Sequence, residues 1–151
     1  MMANHYVIDT NILVYLYDRR EAVKQNQAQQ VIAHVGAGSR GSIPAQALAE
    51  FASVALRKFK PPIRSLQVFR HIETFEQLFP IIPLTQSIVL EAVRGVRDYR
   101  MSYYDAQIWA AAKLSQASAV LSEDFTAGQV IEGIRFVNPF VPGFEVSKSL
   151  P

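Results

Sequence analysis

Tyr6-Val7-Ile8-Asp9-Thr10-Asn11-Ile12-Leu13-Val14-Tyr15-Leu16-Tyr17-Asp18 is the stretch from which the rest of the chain can be read. Tyr6 to Ile8 have the length and β-branched content of a buried strand, and they stop at Asp9, Thr10 and Asn11, residue types that begin helices. The Asp9 carboxylate therefore falls at the C-terminal end of a strand. In open parallel sheets that edge is where ligands bind, because the strands point into a crevice ringed by helix N-termini. A plain helix cap at Asp9 or Thr10 would give the same local pattern. Three later acids in comparable places make the cap an incomplete account.

Outward from this stretch, the pattern alternates short apolar runs with longer helices. Asn11 to Asp18 and Glu21 to Val35 read as helices, and Ser42-Ile43 as a brief strand. Pro44 suits the first turn of a helix to about Phe59, with Leu48, Phe51, Ala52, Ala55, Leu56 and Phe59 at core spacing and Gln46, Glu50, Ser53 and Arg57 on the opposite stripe. A helix over Ser65 to Leu78, a short strand or extended link over Pro80 to Leu84 and a helix over Ser87 to Val96 follow, the last weakened by Gly95. Tyr104 to Gln116 is apolar nearly all round and reads as a helix buried against a sheet. Ala119 to Leu121 and Ile134 to Val137 are strands, Gly128 and Gly133 bracket a loop or half-helix, and the tail from Val141 has no periodicity. The expected fold class is α/β: a three-layer α/β/α sandwich around a central, mainly parallel sheet of four to five short strands. The chain reads as a single domain over 1–151, with 138–151 as a C-terminal tail.

The bulk composition bounds the chemistry. Half of the 151 residues are hydrophobic, enough for a packed core and against disorder, and the absence of cysteine excludes disulfides and thiolate metal sites. No run approaches the roughly 20 apolar residues of a membrane span, so a cytoplasmic protein with no membrane association is expected. Net charge is +2, and the basic residues cluster at Arg19, Arg20 and Lys24, at Arg57, Lys58 and Lys60, and at Arg94, Arg97 and Arg100. Such clusters suit a polyanion as well as ordinary solvated helix faces.

Four of the 13 carboxylates fit poorly as surface charges. Asp9 follows the first strand, Glu50 sits within an otherwise apolar helix, Asp105 opens the buried helix and Asp124 follows the strand at Ala119. Local alternatives exist: Glu50 lies on a polar stripe, Ser102-x-x-Asp105 matches a capping box, and Asp124 can cap a turn. In a parallel sheet, however, Asp9 and Asp124 share one edge and the helix opened by Asp105 starts there. Two bare carboxylates about 4 Å apart repel by about 4 kcal/mol at an effective dielectric of 20. Protons or a divalent cation must relieve that repulsion, and all-oxygen ligands suit Mg²⁺ or Mn²⁺.

Val7-Ile8-Asp9-Thr10-Asn11-Ile12-Leu13, Ala49-Glu50-Phe51, Tyr104-Asp105-Ala106-x-Ile108-x-Ala110-Ala111-Ala112, and Leu121-Ser122-Glu123-Asp124-Phe125 with Asn138-Pro139-Phe140 resemble, in this order, the successive motifs of PIN-domain ribonucleases. Within that family the chain looks most like the VapC-type toxins of bacterial and archaeal toxin–antitoxin pairs. The resemblance spans essentially the whole chain and implies an endoribonuclease dependent on Mg²⁺ or Mn²⁺, a frequent homodimer, and inhibition by a cognate antitoxin protein. Carried over residue by residue, it implies that Asp9, Glu50, Asp105 and Asp124 bind metal, with Asp124 the more variable, and that Thr10, Asn11 and Ser122 orient ligands or water behind them. The same family includes RNA-processing and inactive members. An RNA-processing nuclease without a toxin role, or an inactive protein-binding module, are therefore the alternatives. A haloacid-dehalogenase phosphatase also begins with an Asp after its first strand, but it requires a second Asp where Asn11 stands. Tyr15, Tyr17, Tyr103 and Tyr104 are candidates for stacking RNA bases, the last two beside the expected pocket; Trp109 belongs in the core, and His5, His34 and His71 carry no motif.

Overall fold

A computed structural model describes residues 4–151. In chain order the elements are β1 (Tyr6–Ile8), α1 (Thr10–Tyr15), α2 (Ala22–Ala37), β2 (Gly41–Pro44), α3 (Ala45–Arg57), α4 (Ser65–Leu78), β3 (Ile81–Ile82), α5 (Gln86–Tyr99), α6 (Tyr103–Leu114), β4 (Ala119–Leu121), β5 (Val130–Ile131), β6 (Ile134–Val137) and α7 (Val146–Ser149). The sheet order is β3-β2-β1-β4-β6-β5, with β1 at the centre between parallel β2 and β4. Pairing of β2 with β3 and of β4 with β6 is also parallel. The α/β sandwich expected from sequence is present, but its sheet has six strands rather than four to five.

The sixth strand arises because Val130–Ile131 folds back antiparallel on β6 around Glu132 and Gly133. Both turn residues have positive φ, 49° and 82°, as a two-residue hairpin turn requires. A two-residue strand without an Asn-Gly or Asp-Gly turn carries almost no sequence signal. Glu132 holds its left-handed conformation with bonds from Arg94 at 2.8 Å and Tyr99 at 2.5 Å. The apparently aperiodic tail likewise contains α7, and the adjoining Leu150 is fully buried.

Strand alternation divides the core. Tyr6, Ile8, Ile43 and Leu121 face α1 to α4 and α7, whereas Val7, Val120 and Phe136 face α5 and α6. With both faces covered, the central strands are wholly buried, which explains their unbroken apolar runs. Among the described residues no helix is long and apolar enough to cross a membrane.

Gly95, unfavourable by helix propensity, has a packing reason: α5 lies so close to α6 that Trp109 occupies the space a side chain would need. Trp109 is completely buried and its indole N–H donates to the Ile131 carbonyl at 3.2 Å, so the ring has little freedom to retreat. A Cβ on residue 95 would stand 2.9 Å from Cζ3 of Trp109. Gly95→Ala should therefore lower unfolding stability by about 1–2 kcal/mol despite the better helix former, because overpacking outweighs propensity. Urea denaturation checks this; a stabilised variant would show that the two helices can separate freely.

Candidate metal centre at the sheet edge

Register alone brings the first pair of predicted residues together. Ile8 is opposite Leu121 in the parallel β1–β4 ladder, and the Asp9 N–H continues it to the Leu121 carbonyl at 3.1 Å. Ser122, the next residue, thus stands beside Asp9 and donates its hydroxyl to Oδ2 at 2.7 Å. The other carboxylate oxygen accepts the Thr10 N–H at 2.7 Å, so Asp9 does cap α1 while lying at the strand end. Capping and placement at the edge are two consequences of one position.

The Thr10 hydroxyl then donates to Oε2 of Glu50 at 2.7 Å, joining α1 to α3. Asn11 turns to the other side. Its Nδ2 donates to Ser122 Oγ at 3.2 Å and to Oδ2 of Asp124 at 3.1 Å, and its Oδ1 accepts the Glu123 N–H at 3.3 Å. Asp105 lies in the first turn of α6. Ser102 has the extended backbone of an N-cap but makes no side-chain cap bond, so the capping box suggested by Ser102-x-x-Asp105 is not formed. Asp124 accepts from Asn11 instead of capping the following turn.

The electrostatics follow from burial and crowding. Asp9 is only 4% exposed, and desolvation pushes its pKa from the ordinary 3.8 up to about 6, with the charges of Asp124 and Glu50 adding to the rise. Bonds from Ser122 and Thr10 oppose that shift without cancelling it. Asp124 is raised as well, first by desolvation and then by the charges of Asp105, Glu123 and Glu50, with Asn11 acting the other way. The charges of Glu50 and Asp124 thus act on Asp9, and those of Asp105 and Glu50 on Asp124. Among the described residues, none of the four forms a salt bridge, whereas neighbouring Glu123 is paired with Lys24 at 3.0 Å.

An open cleft of about 640 Å³ exposes this edge, with Thr10, Asn11, Glu50, Asp124, Tyr15 and Lys58 among its lining. Among the described residues, no three of the acids close round a single point as they stand. Their chemistry nonetheless fits a hard dication: every donor is oxygen, the negative charge is uncompensated, and a buried carboxylate is held away from its ordinary ionisation. Asp9, Glu50, Asp105 and Asp124 are the candidates for holding such an ion.

Other candidates fall outside this centre. His5 bonds Ser42, His34 bonds the Leu150 carbonyl, and His71 stacks on Tyr17. Trp109 is core, and Tyr104 is largely exposed beside half-buried Tyr103. One participant was not singled out in the sequence, and another, Tyr15, was noted only as a candidate for stacking bases. Gln46 donates to Oε1 of Glu50 at 3.2 Å, and the Tyr15 hydroxyl donates to Oε1 of Glu123 at 2.5 Å. Gln46 had a detectable signal, since it lies one helical turn before Glu50 on the same stripe.

A family model described as PIN domain matches residues 6–130. Among curated proteins none matches. Solved structures do. A toxin–antitoxin complex from Klebsiella pneumoniae is 24% identical, with a TM-score of 0.67 over 89% of this chain and 98% of that one. FitAcB from Neisseria gonorrhoeae is 17% identical, with a TM-score of 0.62 and the same two coverages, 89% and 98%. The toxin VapC20 of Mycobacterium tuberculosis, described as cleaving the sarcin-ricin loop, is 11% identical, with a TM-score of 0.59 over 76% of this chain and 86% of that one. At these identities the likeness is one of fold.

The raised pKa of Asp9 has a measurable sign. Between about pH 4 and pH 6 the unfolded chain loses this proton while the folded chain keeps it, so metal-free stability falls as pH rises through that window and stays lower above it. Asp9→Asn should therefore stabilise the metal-free protein at pH 7 by on the order of 2 kcal/mol, and the gain should fade towards pH 4. Urea titrations at the two pH values check this, and equal midpoints for parent and variant at pH 7 would contradict it.

Proposed function

Because the chain belongs to the PIN-domain family, we propose that it is a metal-dependent endoribonuclease acting as the toxin of a type II toxin–antitoxin pair. The observation that supports this reading is buried Asp9 at the strand end, its pKa raised by burial and by the charges of Glu50 and Asp124, with Asp105 acting on Asp124 in turn and no lysine or arginine paired with any of the four among the described residues, beside an open cleft lined by Glu50 and Asp124. A protein that needed those acids only as caps or solvated charges would not gather them at one sheet edge.

Asp9, Glu50, Asp105 and Asp124 would hold Mg²⁺ or Mn²⁺. When bound, the cation supplies the positive charge and Lewis acidity that phosphodiester hydrolysis needs. The chain's own residues do the rest. Thr10 and Ser122 fix the Glu50 and Asp9 carboxylates through hydroxyl bonds, and Asn11 holds Asp124 in register with Ser122. Lys58, on the cleft lining, would meet a flanking phosphate of the RNA, together with the neighbouring exposed Arg57 and Lys60.

The toxin role and a cognate antitoxin partner draw support from the neighbours of known structure, several of which are toxin–antitoxin complexes. A homodimer is part of the proposal. Exposed apolar side chains at Leu90 and Val93, on the outer face of α5, support it. A cytoplasmic location follows from such a role.

RNA incubated with the protein should be cut in the presence of Mg²⁺ or Mn²⁺ and left intact in the presence of EDTA. Asp9→Asn and Asp105→Asn should each reduce the rate by about two orders of magnitude or more, the loss expected when a metal's electrostatic assistance of several kcal/mol is withdrawn. Cleavage by both variants at the parent rate would refute the assignment.

A further inference from the structure

Glu50 and Asp105 stand on helices that lean on different neighbours. α3 packs chiefly on α1 and α4, whereas α6 packs on α5, β4 and β6. A polar clasp joins them nonetheless. Gln46, in the first turn of α3, donates its amide to Oε1 of Glu50 at 3.2 Å and to the Tyr104 carbonyl, immediately before Asp105, also at 3.2 Å. Its own carbonyl accepts the Gln107 amide at 2.5 Å.

Gln107 is the less expected half. It is 5% exposed on a helix that is otherwise buried through alanine, isoleucine and tryptophan, where an apolar residue of the same size would pack without needing a partner. Its amide fixes which way the Gln46 carbonyl points, and so which way the two Gln46 N–H groups point. With Thr10 on Oε2 and Gln46 on Oε1, both oxygens of Glu50 are steered, one from α1 and one by Gln46 of α3, which is itself tied to α6 through the Tyr104 carbonyl and Gln107.

We propose that Gln46 and Gln107 are a positioning pair that sets the placement of Glu50 relative to Asp105 and thereby tunes divalent-cation affinity. The proposal rests on the reading of the four acids as a cation site. Neither glutamine is assigned contact with the ion or the RNA. Gln107 makes no side-chain hydrogen bond to any of the acids, so its polar influence passes through Gln46.

Calorimetric titration of the full-length protein with Mn²⁺ tests this, using Gln107→Leu, Gln46→Ala and the double variant beside the parent. Each single change should weaken Mn²⁺ binding about tenfold, the size of effect usual for groups that orient metal ligands. The double variant should be no weaker than the weaker single, because both changes break one clasp. Gln107→Leu should keep the parent urea midpoint, which separates positioning from a merely structural role. Parent-like Mn²⁺ affinity in both single variants, or losses that multiply in the double variant, would overturn the proposal while leaving the cation site intact. A parent protein that binds no Mn²⁺ would overturn the cation site together with the clasp.

Discussion

A carboxylate removed from water at the end of a central strand is the constraint on which this molecule depends. Asp9 cannot move outwards, because its backbone extends the β1–β4 ladder and its oxygens are taken by Thr10 and Ser122. Nor can it ionise at its ordinary pH while the interior around it remains dry. The bonds it accepts lower the cost without removing it, and Glu50 and Asp124 raise it again. A site that is poor for an isolated anion is a good one for an anion with a dication in front of it.

The remainder of the charge distribution sharpens that contrast. Glu91, Glu132 and Asp98 share Arg94, with Lys113 joining the first two, in a network over the outer face of α5 and α6. Exposed pairs of this kind contribute little each, and here they hold the β5–β6 hairpin turn against the helices. The chain thus has ample basic residues and employs them within a few residues of the edge, as Lys24 on Glu123 shows. That they stop short of Asp9, Glu50, Asp105 and Asp124 is a property of placement, since neighbouring segments are well supplied with cations. The same cleft presents Lys58 on its lining, so positive charge is available for a polyanion without neutralising the acids.

How much of this was legible in the sequence depended on the range of the signal. β1 and β4 were readable because strands covered on both faces are apolar throughout, and α4 was bounded correctly because its periodicity and its flanking prolines agree. Parallel pairing then placed Asp9 beside Ser122 and Asp124 by simple register. What failed was short or cooperative. β5 has two residues and is defined by its partner, and Leu150 is buried because α7 docks on the core, a contact between distant residues that no local pattern records. Asp105 read equally well as half of a capping box until the Ser102 side chain proved to make no cap bond, and Gln46 looked like one more polar residue on a solvated stripe.

The central claim is that four carboxylates distant in the chain form one site whose proper occupant is a divalent cation. Anomalous scattering from crystals soaked in Mn²⁺ measures it directly. The account predicts a peak within coordinating distance of Asp9, with oxygens of Glu50, Asp105 or Asp124 completing the protein's share of the ligands. A well-ordered soaked crystal with no peak at this edge, or with manganese bound only elsewhere, would contradict it.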